Sequence, residues 1–372
     1  MKVCIDIQSA LAQRAGVGRY TRSLAEALGE TRDPADELKL FYFDFRRKGL
    51  PFSVPGVRTC RVGWLPGRWV QKAWKTVKAP PFDWLSGSAD IFHFPNFIRP
   101  PLSRGRSVVT LHDVSFLRFP EAAEERNRRY LTSRIQDTVH RADRILSDCD
   151  FVAREIVEML GVSSDRVTTV YPGLSASFAP APAETLRQVR VRYGLDRPYL
   201  LNVGTLEPRK NHVFLIEAFE RMKGFDGDLV LAGMKGWKVE PILERIRRSP
   251  LCGRIRHLDY VADADLPALY TGAELFLFPS LYEGFGFPPL EALACGCPVL
   301  ASTAESLVEV LGQGARLVKT DDAERWAEEA RRILLDESGR TERRERGFAR
   351  VSDFLWGTAA KKVWSIYREV LS

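Results

Sequence analysis

The chain has 372 residues, a length that suggests two domains, and its 45% of hydrophobic residues is enough to form a sizeable core. Its 55 Lys and Arg residues exceed its 48 acidic residues, and the resulting formal charge of +7 excludes both an acidic disordered protein and a histone-like polycation. The excess is concentrated in 39–82, where ten basic residues accompany a single acid, Asp44.

Six cysteines are scattered along the chain without a C-x-x-C pair, which favours a reduced compartment and gives no sign of zinc or redox chemistry. The opening sequence MKVCIDIQSA reaches polar residues too soon for a signal peptide, and no apolar run attains the roughly 18 residues that span a membrane. We therefore expect a cytoplasmic protein that is either soluble or peripheral on the inner face of the membrane.

Short apolar runs of β-forming residues alternate with amphipathic helical patterns along the chain. The runs include VCIDI, LKLFYF, IFHF and VVTLHD in the first half, and YLLNVG, DLVLAG, LFLFPS and PVLAS in the second. Apolar residues at three- and four-residue spacing predict helices over 18–30, 151–162 and 212–224. This alternation predicts an α/β fold made of βαβ units with parallel sheets.

A segment rich in Pro, Ala and Ser, 171–186, lies between the two halves and is typical of a linker. We therefore predict two Rossmann-like, doubly wound domains, 1–180 and 187–352, that face a central cleft. A further amphipathic pattern, 356–371, follows a charged stretch and stands apart from the second domain.

Two short motifs in the first half lie where α/β sheets bind ligands. Gly16 and Gly18 stand between the first strand and a helix, so backbone N–H groups there could face an anion, and a plain tight turn is an equal alternative. His112 and Asp113 follow the strand SVVTL, where a histidine can donate to a hydroxyl. Packing or capping explains this pair equally well.

The second half contains two cations directly before a helix. Arg209 and Lys210, within VGTLEPRKN, precede a helix predicted to begin near His212, so two positive charges and a helix N-terminus converge. A pair of phosphates is the anion that suits this arrangement. An ordinary solvated basic turn is the alternative.

The segment SLYEGFGFPPLEALACGCPVLAS (280–302) combines two carboxylates with glycines. Glu283 lies on a loop, Gly284 and Gly286 allow a ligand to approach the backbone, and Glu291 falls near the start of the helix that follows. Acceptors for sugar hydroxyls would thus flank N–H donors for phosphate. Two carboxylates at the separation found in hydrolases would instead imply glycosidase chemistry.

Two Asp-x-Asp spacings, Asp148 with Asp150 and Asp263 with Asp265, invite comparison with a metal site. Each precedes a helical run, where aspartate is a favoured N-cap, so we predict that these residues cap helices. We expect no metal site.

Together these motifs resemble the retaining glycosyltransferases of family four, which have two Rossmann-like domains in the GT-B architecture. The resemblance covers most of the chain and is most specific in the E-x7-E pair, Glu283 and Glu291, combined with Arg209 and Lys210. It also implies that the final helix, 356–372, crosses back to complete the first domain. The motifs that carry it are GVGRY (16–20), LHD (111–113), YPG (171–173), VGTLEPRKN (203–211), YVADADLPALY (260–270), EGFGFPPLEALACGCPV (283–299) and ESLVEVLG (305–312).

The resemblance implies a nucleotide diphosphate sugar as donor substrate, with no metal or other cofactor. Arg209 and Lys210 would hold the diphosphate and stabilise the charge that grows on the leaving group. Glu291 would accept hydrogen bonds from the ribose, Glu283 would contact the transferred sugar, and His112 would approach that sugar and the acceptor. The other donor contacts would come from Gly16, Gly18, Thr205, Tyr260, Val261, Gly284, Phe285, Gly286 and Phe287.

By the same resemblance, the acceptor attacks the face that the nucleotide leaves, a phosphate oxygen takes its proton, and the anomeric configuration is retained. Many relatives have Arg where this chain has Thr205, which leaves the diphosphate to Arg209 and Lys210. The form VGTLEPRKN is similar to that of members that transfer mannose or rhamnose in surface polysaccharide synthesis. A hexose of that kind and a glycan or lipid-linked acceptor are therefore expected.

Within the basic segment, RWVQKAWKTVK (68–78) predicts an amphipathic helix with tryptophans on one stripe and cations on another. Such a helix is typical of an interfacial membrane contact, so we predict docking on an anionic lipid surface that presents the acceptor. A helix packed on the core with its cations in solvent is the alternative. The residues assigned to the acceptor or membrane are Trp69, Lys72, Trp74, Lys75 and Asp113.

The alternatives to glycosyl transfer are an epimerase, a dehydrogenase and a non-catalytic binding protein. A nucleotide-sugar 2-epimerase of the same architecture would need no acceptor. A NAD-dependent dehydrogenase is disfavoured because no G-x-G-x-x-G motif follows the first strand of either half with an acid about 20 residues on. A non-catalytic nucleotide-sugar binder is the remaining alternative, whereas the nearly neutral second half argues against a groove for nucleic acid.

Overall fold

The computed structural model describes residues 1–12 and 16–372. The chain divides into two compact units, Met1–Gly173 together with Phe354–Ser372, and Leu174–Asp353. The first unit ends at Gly173 rather than at residue 180, and the C-terminal helix belongs to it.

The first unit contains a seven-stranded parallel sheet, counted over its described residues. The strands are β1 (Lys2–Asp6), β2 (Glu37–Phe43), β3 (Arg58–Val62), β4 (Ile91–Phe94), β5 (Arg106–Leu111), β6 (Arg144–Ser147) and β7 (Val167–Thr169). Their order is β3-β2-β1-β4-β5-β6-β7, so the winding reverses between β1 and β4. Every residue of β4 is buried, as expected for a central strand of a parallel sheet that is covered on both faces.

Amphipathic helices connect these strands. Tyr20, Leu24 and Leu28 form the buried side of the helix that follows β1. The side chain of Glu124 caps another helix by accepting hydrogen bonds from the backbone N–H groups of Arg126 and Asn127. The helices are α1 (Gln8–Ala12), α2 (Val17–Glu30), α3 (Gly67–Thr76), α4 (Phe82–Ser86), α5 (Ser115–Arg118), α6 (Glu125–Arg141) and α7 (Asp150–Leu160).

The second unit contains a six-stranded parallel sheet in the order β10-β9-β8-β11-β12-β13, where the winding reverses between β8 and β11. The strands are β8 (Tyr199–Val203), β9 (Asp228–Ala232), β10 (Ile255–Asp259), β11 (Leu275–Phe278), β12 (Val299–Ala301) and β13 (Arg316–Leu317). The helices are α8 (Ala183–Tyr193), α9 (His212–Arg221), α10 (Glu240–Arg248), α11 (Leu266–Thr271), α12 (Phe287–Ala294), α13 (Glu305–Leu311), α14 (Ala323–Leu335) and α15 (Arg340–Val351). The helices predicted over 18–30, 151–162 and 212–224 are confirmed as α2, α7 and α9.

The C-terminal helix α16 (Trp356–Leu371) packs on α2 of the first unit. The indole of Trp364 is buried and donates to the carbonyl of Leu28 at 3.2 Å. The hydroxyl of Tyr367 lies 2.6 Å from Nδ1 of His93 on β4, and the other ring nitrogen of His93 lies 2.9 Å from the hydroxyl of Thr110 on β5. Burial lowers the pKa of His93 to about 3, so this histidine is neutral and acts as a polar contact between helix and sheet.

The prediction that the Asp-x-Asp pairs cap helices through their side chains is wrong for Asp148 and Asp265. The N-cap of α7 is Cys149, and the carboxylate of Asp148 is hydrogen-bonded to His112 instead. Asp265 occupies the N-cap position of α11 with helical rather than extended backbone angles, and its carboxylate binds Arg192 and Tyr193. In both cases the aspartate carboxylate binds other side chains instead of the N–H groups at the start of the helix.

Candidate active site

The loops that follow β8 and β11 bring the two predicted motifs of the second unit together. These strands are neighbours at the point where the winding of the sheet reverses, which is where open α/β sheets bind ligands. The backbone N–H of Leu281 donates to the carbonyl of Arg209 at 2.9 Å and joins the two loops directly. The cation pair and the first carboxylate of the E-x7-E motif therefore share one place.

Glu283 is the centre of a compact ion cluster. Its Oε1 accepts hydrogen bonds from Nζ of Lys210 at 2.5 Å and from the hydroxyl of Ser280, and its Oε2 accepts from Nη1 of Arg209 at 3.1 Å. The Arg209 guanidinium also donates to Glu207 at 2.7 Å. Nothing in the sequence indicated the contact between Arg209 and Glu207, although Glu207 lies two residues before Arg209 in the same motif.

The cluster contains two carboxylates and two cations, so with all four groups ionised it carries no net charge. Burial raises the pKa of Glu207, and Arg209 and Lys210 oppose that effect without overcoming it. For Glu283 burial also acts to raise the pKa, but Lys210 and Arg209 outweigh it and lower the pKa to about 2. Glu283 is therefore ionised at neutral pH and has no proton to donate.

Glu283 links the stability of the second unit to pH. Its pKa falls from 4.5 to about 2 on folding, so the stabilising contribution is complete above pH 4.5 and is lost as the pH falls from 4.5 towards 2. We expect this loss to be on the order of 3 kcal/mol. Urea unfolding between about pH 6 and pH 3 should show a shallower pH dependence for Glu283→Gln than for the wild type.

The matched control for this experiment is Glu240→Gln, which changes an exposed glutamate at the start of α10. It should retain the pH dependence of the wild type. The same pH dependence in Glu283→Gln and the wild type would contradict the low pKa of Glu283.

The second carboxylate of the motif, Glu291, lies on α12 and is almost fully buried. The hydroxyl of Tyr270, on α11, donates to its Oε2 at 2.9 Å. Tyr270 is itself fully buried, so this contact holds the carboxylate in one orientation. Its role was not recognised from the sequence, because the packing of α11 on α12 is a tertiary contact.

The loop between the two glutamates requires glycine at Gly286. This residue precedes α12 with a φ of 102°, and a Cβ there would lie 2.5 Å from the side chain of Leu307. Phe285 is buried, and its ring centre is 4.9 Å from that of Phe287, while Gly284 is only partly buried. α12 begins four residues after Glu283, and because Pro288 and Pro289 have no N–H, the backbone donors at the start of this helix are those of Gly286 and Phe287.

Thr205, Tyr260 and Val261 lie on loops at the same edge of the second sheet. The loop after β9 is packed against the loop after β8 so closely that a Cβ on Gly233 would be 1.9 Å from the carbonyl oxygen of Gly204. Tyr260 and Val261 follow β10, and Tyr260 is 44% exposed whereas Val261 is buried. All the donor-binding residues predicted in the second half thus follow carboxyl ends of strands in one unit.

His112 is held firmly inside the first unit. Its Nδ1 is 2.7 Å from Oδ2 of Asp148, its Nε2 is 3.0 Å from the carbonyl oxygen of Pro95, and the ring of Tyr20 packs edge-on at 4.6 Å. Burial acts to lower the pKa of His112, but Asp148 raises it overall. Because both ring nitrogens are already bonded, a sugar hydroxyl would have to displace one of these partners.

The other site residues predicted in the first unit, Gly16, Gly18 and Asp113, lie at the starts of helices. Gly16 precedes α2 with a φ of 56°, and Gly18 is the second residue of that helix and is buried. Asp113 accepts hydrogen bonds from the backbone N–H and the hydroxyl of Ser115, at 2.9 and 2.7 Å. This contact places Asp113 at the turn into α5.

The single apolar stripe predicted for 68–78 is split in the structure. Val70 and Trp74 are buried against the sheet, and the indole of Trp74 donates to the carbonyl of Pro80 at 2.6 Å. Trp69 is 63% exposed, and Lys72 and Lys75 are exposed. The assignment of Trp74 to a membrane contact is therefore wrong, because helical periodicity does not distinguish a face that packs on a core from one that meets lipid.

Two further findings concern possible metal sites and membrane-spanning helices among the described residues. They contain no cluster of three or more His, Cys, Asp or Glu side chains suited to a metal ion. Among the helices in the described part of the chain, none has the length and apolarity needed to cross a membrane.

Both halves of the chain match known protein families. Residues 14–178 match the model for Glycosyltransferase Family 4, and residues 187–350 match the model for Glycosyl transferases group 1. The O-antigen chain mannosyltransferase B of Escherichia coli is 32% identical, and the match covers 99% of this chain and 100% of that protein.

Solved structures share the fold across both units. The sucrose-phosphate synthase of Thermosynechococcus elongatus superimposes with a TM-score of 0.77 at 20% identity, covering 100% of this chain and 99% of that one. WaaG, a glycosyltransferase involved in lipopolysaccharide biosynthesis, gives 0.70 at 16% identity, with 99% of each chain covered. These likenesses confirm the predicted fold, and the chain belongs to the family-four glycosyltransferases of GT-B architecture.

Proposed function

We propose that this glycosyltransferase moves a hexose, mannose or a similar sugar such as rhamnose, from a nucleotide diphosphate sugar to a glycan or lipid-linked acceptor in cell-surface polysaccharide synthesis, with retention of configuration. The observation that carries the proposal is the cluster that Arg209 and Lys210 form with Glu283, four residues before the start of α12. The similarity over the whole chain to an O-antigen chain mannosyltransferase supports the choice of sugar and pathway.

In the proposed reaction the bond between the anomeric carbon and the diphosphate breaks, and negative charge grows on the leaving group. Lys210 and Arg209 stabilise that charge, and the backbone N–H groups of Gly286 and Phe287 before Pro288 are the donors that the start of α12 adds. Because Glu283 forms ion pairs with both cations, the diphosphate shares Lys210 and Arg209 with that carboxylate. The chain thus stabilises the leaving group with its own cations, and no metal is needed.

The two carboxylates have different roles in this proposal. Glu283 is ionised and accepts hydrogen bonds from hydroxyls of the transferred sugar, and it is not a general acid. Glu291 accepts hydrogen bonds from the ribose, and Tyr260 with Val261 lies near the base. The acceptor attacks the face that the nucleotide leaves and passes its proton to a phosphate oxygen, so the chain supplies no nucleophile.

The direct test is thermal unfolding with a panel of nucleotide sugars, including GDP-mannose, UDP-glucose and dTDP-rhamnose. We expect one of them to raise the melting temperature and to be hydrolysed slowly when no acceptor is present. Stabilisation by NAD, or by no member of the panel, would contradict the proposal. Release of a sugar epimer with free nucleotide, at full rate and without acceptor, would identify an epimerase.

The contact between Tyr270 and Glu291 makes a separate prediction. In Tyr270→Phe the carboxylate loses the hydroxyl that orients it, so we expect the dissociation constant of the stabilising nucleotide to rise about 5- to 10-fold. Isothermal titration with the nucleotide and with its 2′,3′-dideoxy analogue, which lacks the hydroxyls that Glu291 would bind, measures this effect. An equal loss for both nucleotides would show that Tyr270 does not act through the ribose.

A further inference from the structure

The first unit exposes large aromatic side chains next to its most basic segment. Trp64 is 72% exposed, Trp69 is 63% exposed and Phe45 is 54% exposed. Single exposed apolar side chains are common on protein surfaces, whereas a group of exposed aromatic residues marks an interaction site.

These aromatic residues lie together at one corner of the first sheet. Phe45 follows the carboxyl end of β2, and Trp64 follows the carboxyl end of β3, which is the edge strand and the neighbour of β2. The N–H of Asp44 donates to the carbonyl of Val62 at 2.9 Å, which holds the two segments side by side. Trp69 lies in the first turn of α3, which starts directly after this corner.

The segment that carries these aromatic residues, 39–82, is rich in cations and poor in acids. The only acid in 39–82 is Asp44, whose side chain is buried and accepts hydrogen bonds from the N–H groups of Lys48 and Gly49. Asp44 thus shapes the turn and presents its basic residues outward. The aromatic–basic face comprises Phe45, Trp64 and Trp69 with the exposed cations Arg46, Arg47, Lys48, Arg68 and Lys72.

We propose that the aromatic–basic face docks on an anionic lipid bilayer. Tryptophan side chains partition into the boundary between headgroups and acyl chains, and clustered Lys and Arg are attracted to anionic headgroups. A neutral glycan would explain the aromatic residues but not the five cations, whereas an anionic bilayer satisfies both. The contact is made by loop tips at the sheet corner and the outer side of α3, and not by the buried side of that helix.

Flotation with lipid vesicles tests the proposal on the full chain, without nucleotide or sugar, so its outcome is independent of the proposed function. The wild type should bind vesicles that contain phosphatidylglycerol and should not bind vesicles of phosphatidylcholine alone. Arg46→Glu/Arg47→Glu and Trp64→Ala/Trp69→Ala should each lower the partition coefficient about 10-fold or more. Added salt should weaken binding of the wild type.

Two matched controls test whether any charge reversal, or the loss of any exposed tryptophan, would weaken vesicle binding. Lys361→Glu/Lys362→Glu makes the same charge change on exposed residues of α16. Trp84→Ala removes a tryptophan that is also 72% exposed but lies on α4. This helix is near the amino ends of the strands, because Asp83 accepts a hydrogen bond from Ser103, which precedes β5. Both controls should bind like the wild type.

Equal binding of the wild type and the two face variants would overturn the proposal, as would equal binding to neutral and anionic vesicles. Binding of a soluble polysaccharide that is lost in Trp64→Ala/Trp69→Ala, with no binding to vesicles, would identify the face as a glycan platform instead.

Discussion

Replacing Lys210 with alanine is expected to lower kcat/KM for glycosyl transfer by about 10²- to 10³-fold. The side chain is 11% exposed and its Nζ lies 2.5 Å from Glu283. Its loss removes a positive charge from the place where negative charge grows on the leaving diphosphate. The ion cluster then has two carboxylates and one cation, so it repels that diphosphate. The same variant should abolish the thermal stabilisation by the nucleotide sugar.

Lys223→Ala is the matched control for this experiment, because Lys223 is an exposed lysine just beyond the other end of α9. It should leave both kcat/KM and nucleotide binding unchanged. A Lys210→Ala enzyme that transfers sugar at the rate of the wild type would remove the cation pair from the mechanism. A variant that binds nucleotide normally but transfers slowly would restrict the role of Lys210 to the transition state.

Replacing Trp364 with alanine is expected to destabilise the first unit by about 3 to 5 kcal/mol. The indole is 2% exposed, packs beside Tyr367 and donates a hydrogen bond to Leu28 on α2. Its removal leaves a cavity between α16 and the helix that it covers, and the carbonyl of Leu28 loses its donor. Urea unfolding followed by circular dichroism should show a transition at lower urea concentration than in the wild type.

Lys362→Ala provides the comparison on the same helix, since Lys362 is exposed to solvent. It should change the free energy of unfolding by less than about 0.5 kcal/mol. If Trp364→Ala and Lys362→Ala unfold alike, then α16 does not stabilise the first unit as its contacts indicate. Because Trp364 is remote from Glu283 in sequence and belongs to the other unit, the thermal response to nucleotide should persist in the folded variant.

The residues that the sequence could not assign are those whose partners lie on other elements. Glu207 is visible in VGTLEPRKN, but only its hydrogen bond to Arg209 makes it part of the ion cluster. Tyr270 precedes Glu291 by 21 positions, and the packing of α11 on α12 brings them together. Asp148 was predicted to cap a helix, but the fold places it against His112.

In the basic segment, too, the sequence does not show which residues become neighbours in the fold. The apolar spacing of Val70 and Trp74 correctly predicts a helix, yet both residues are buried and Trp74 packs against Phe43 of β2. The exposed aromatic residues Phe45 and Trp64 have no helical periodicity that links them to Trp69. They become neighbours because β2 and β3 pair in parallel and end at the same edge.

What the sequence determined by itself is local and periodic: the alternation of strands and helices, and the glycine, cation and carboxylate motifs that identify the family. These features follow from backbone preferences and from chemistry that nearby residues can supply. The predicted linker 171–186 contains the boundary between the units at Gly173, but its last residues form the start of α8. Tertiary structure decided which charges neutralise one another, because the pKa of Glu283 depends on burial together with two cations more than 70 positions away. It also decided that the excess positive charge belongs to an aromatic corner of the first sheet, since only strand pairing shows which side chains meet solvent together.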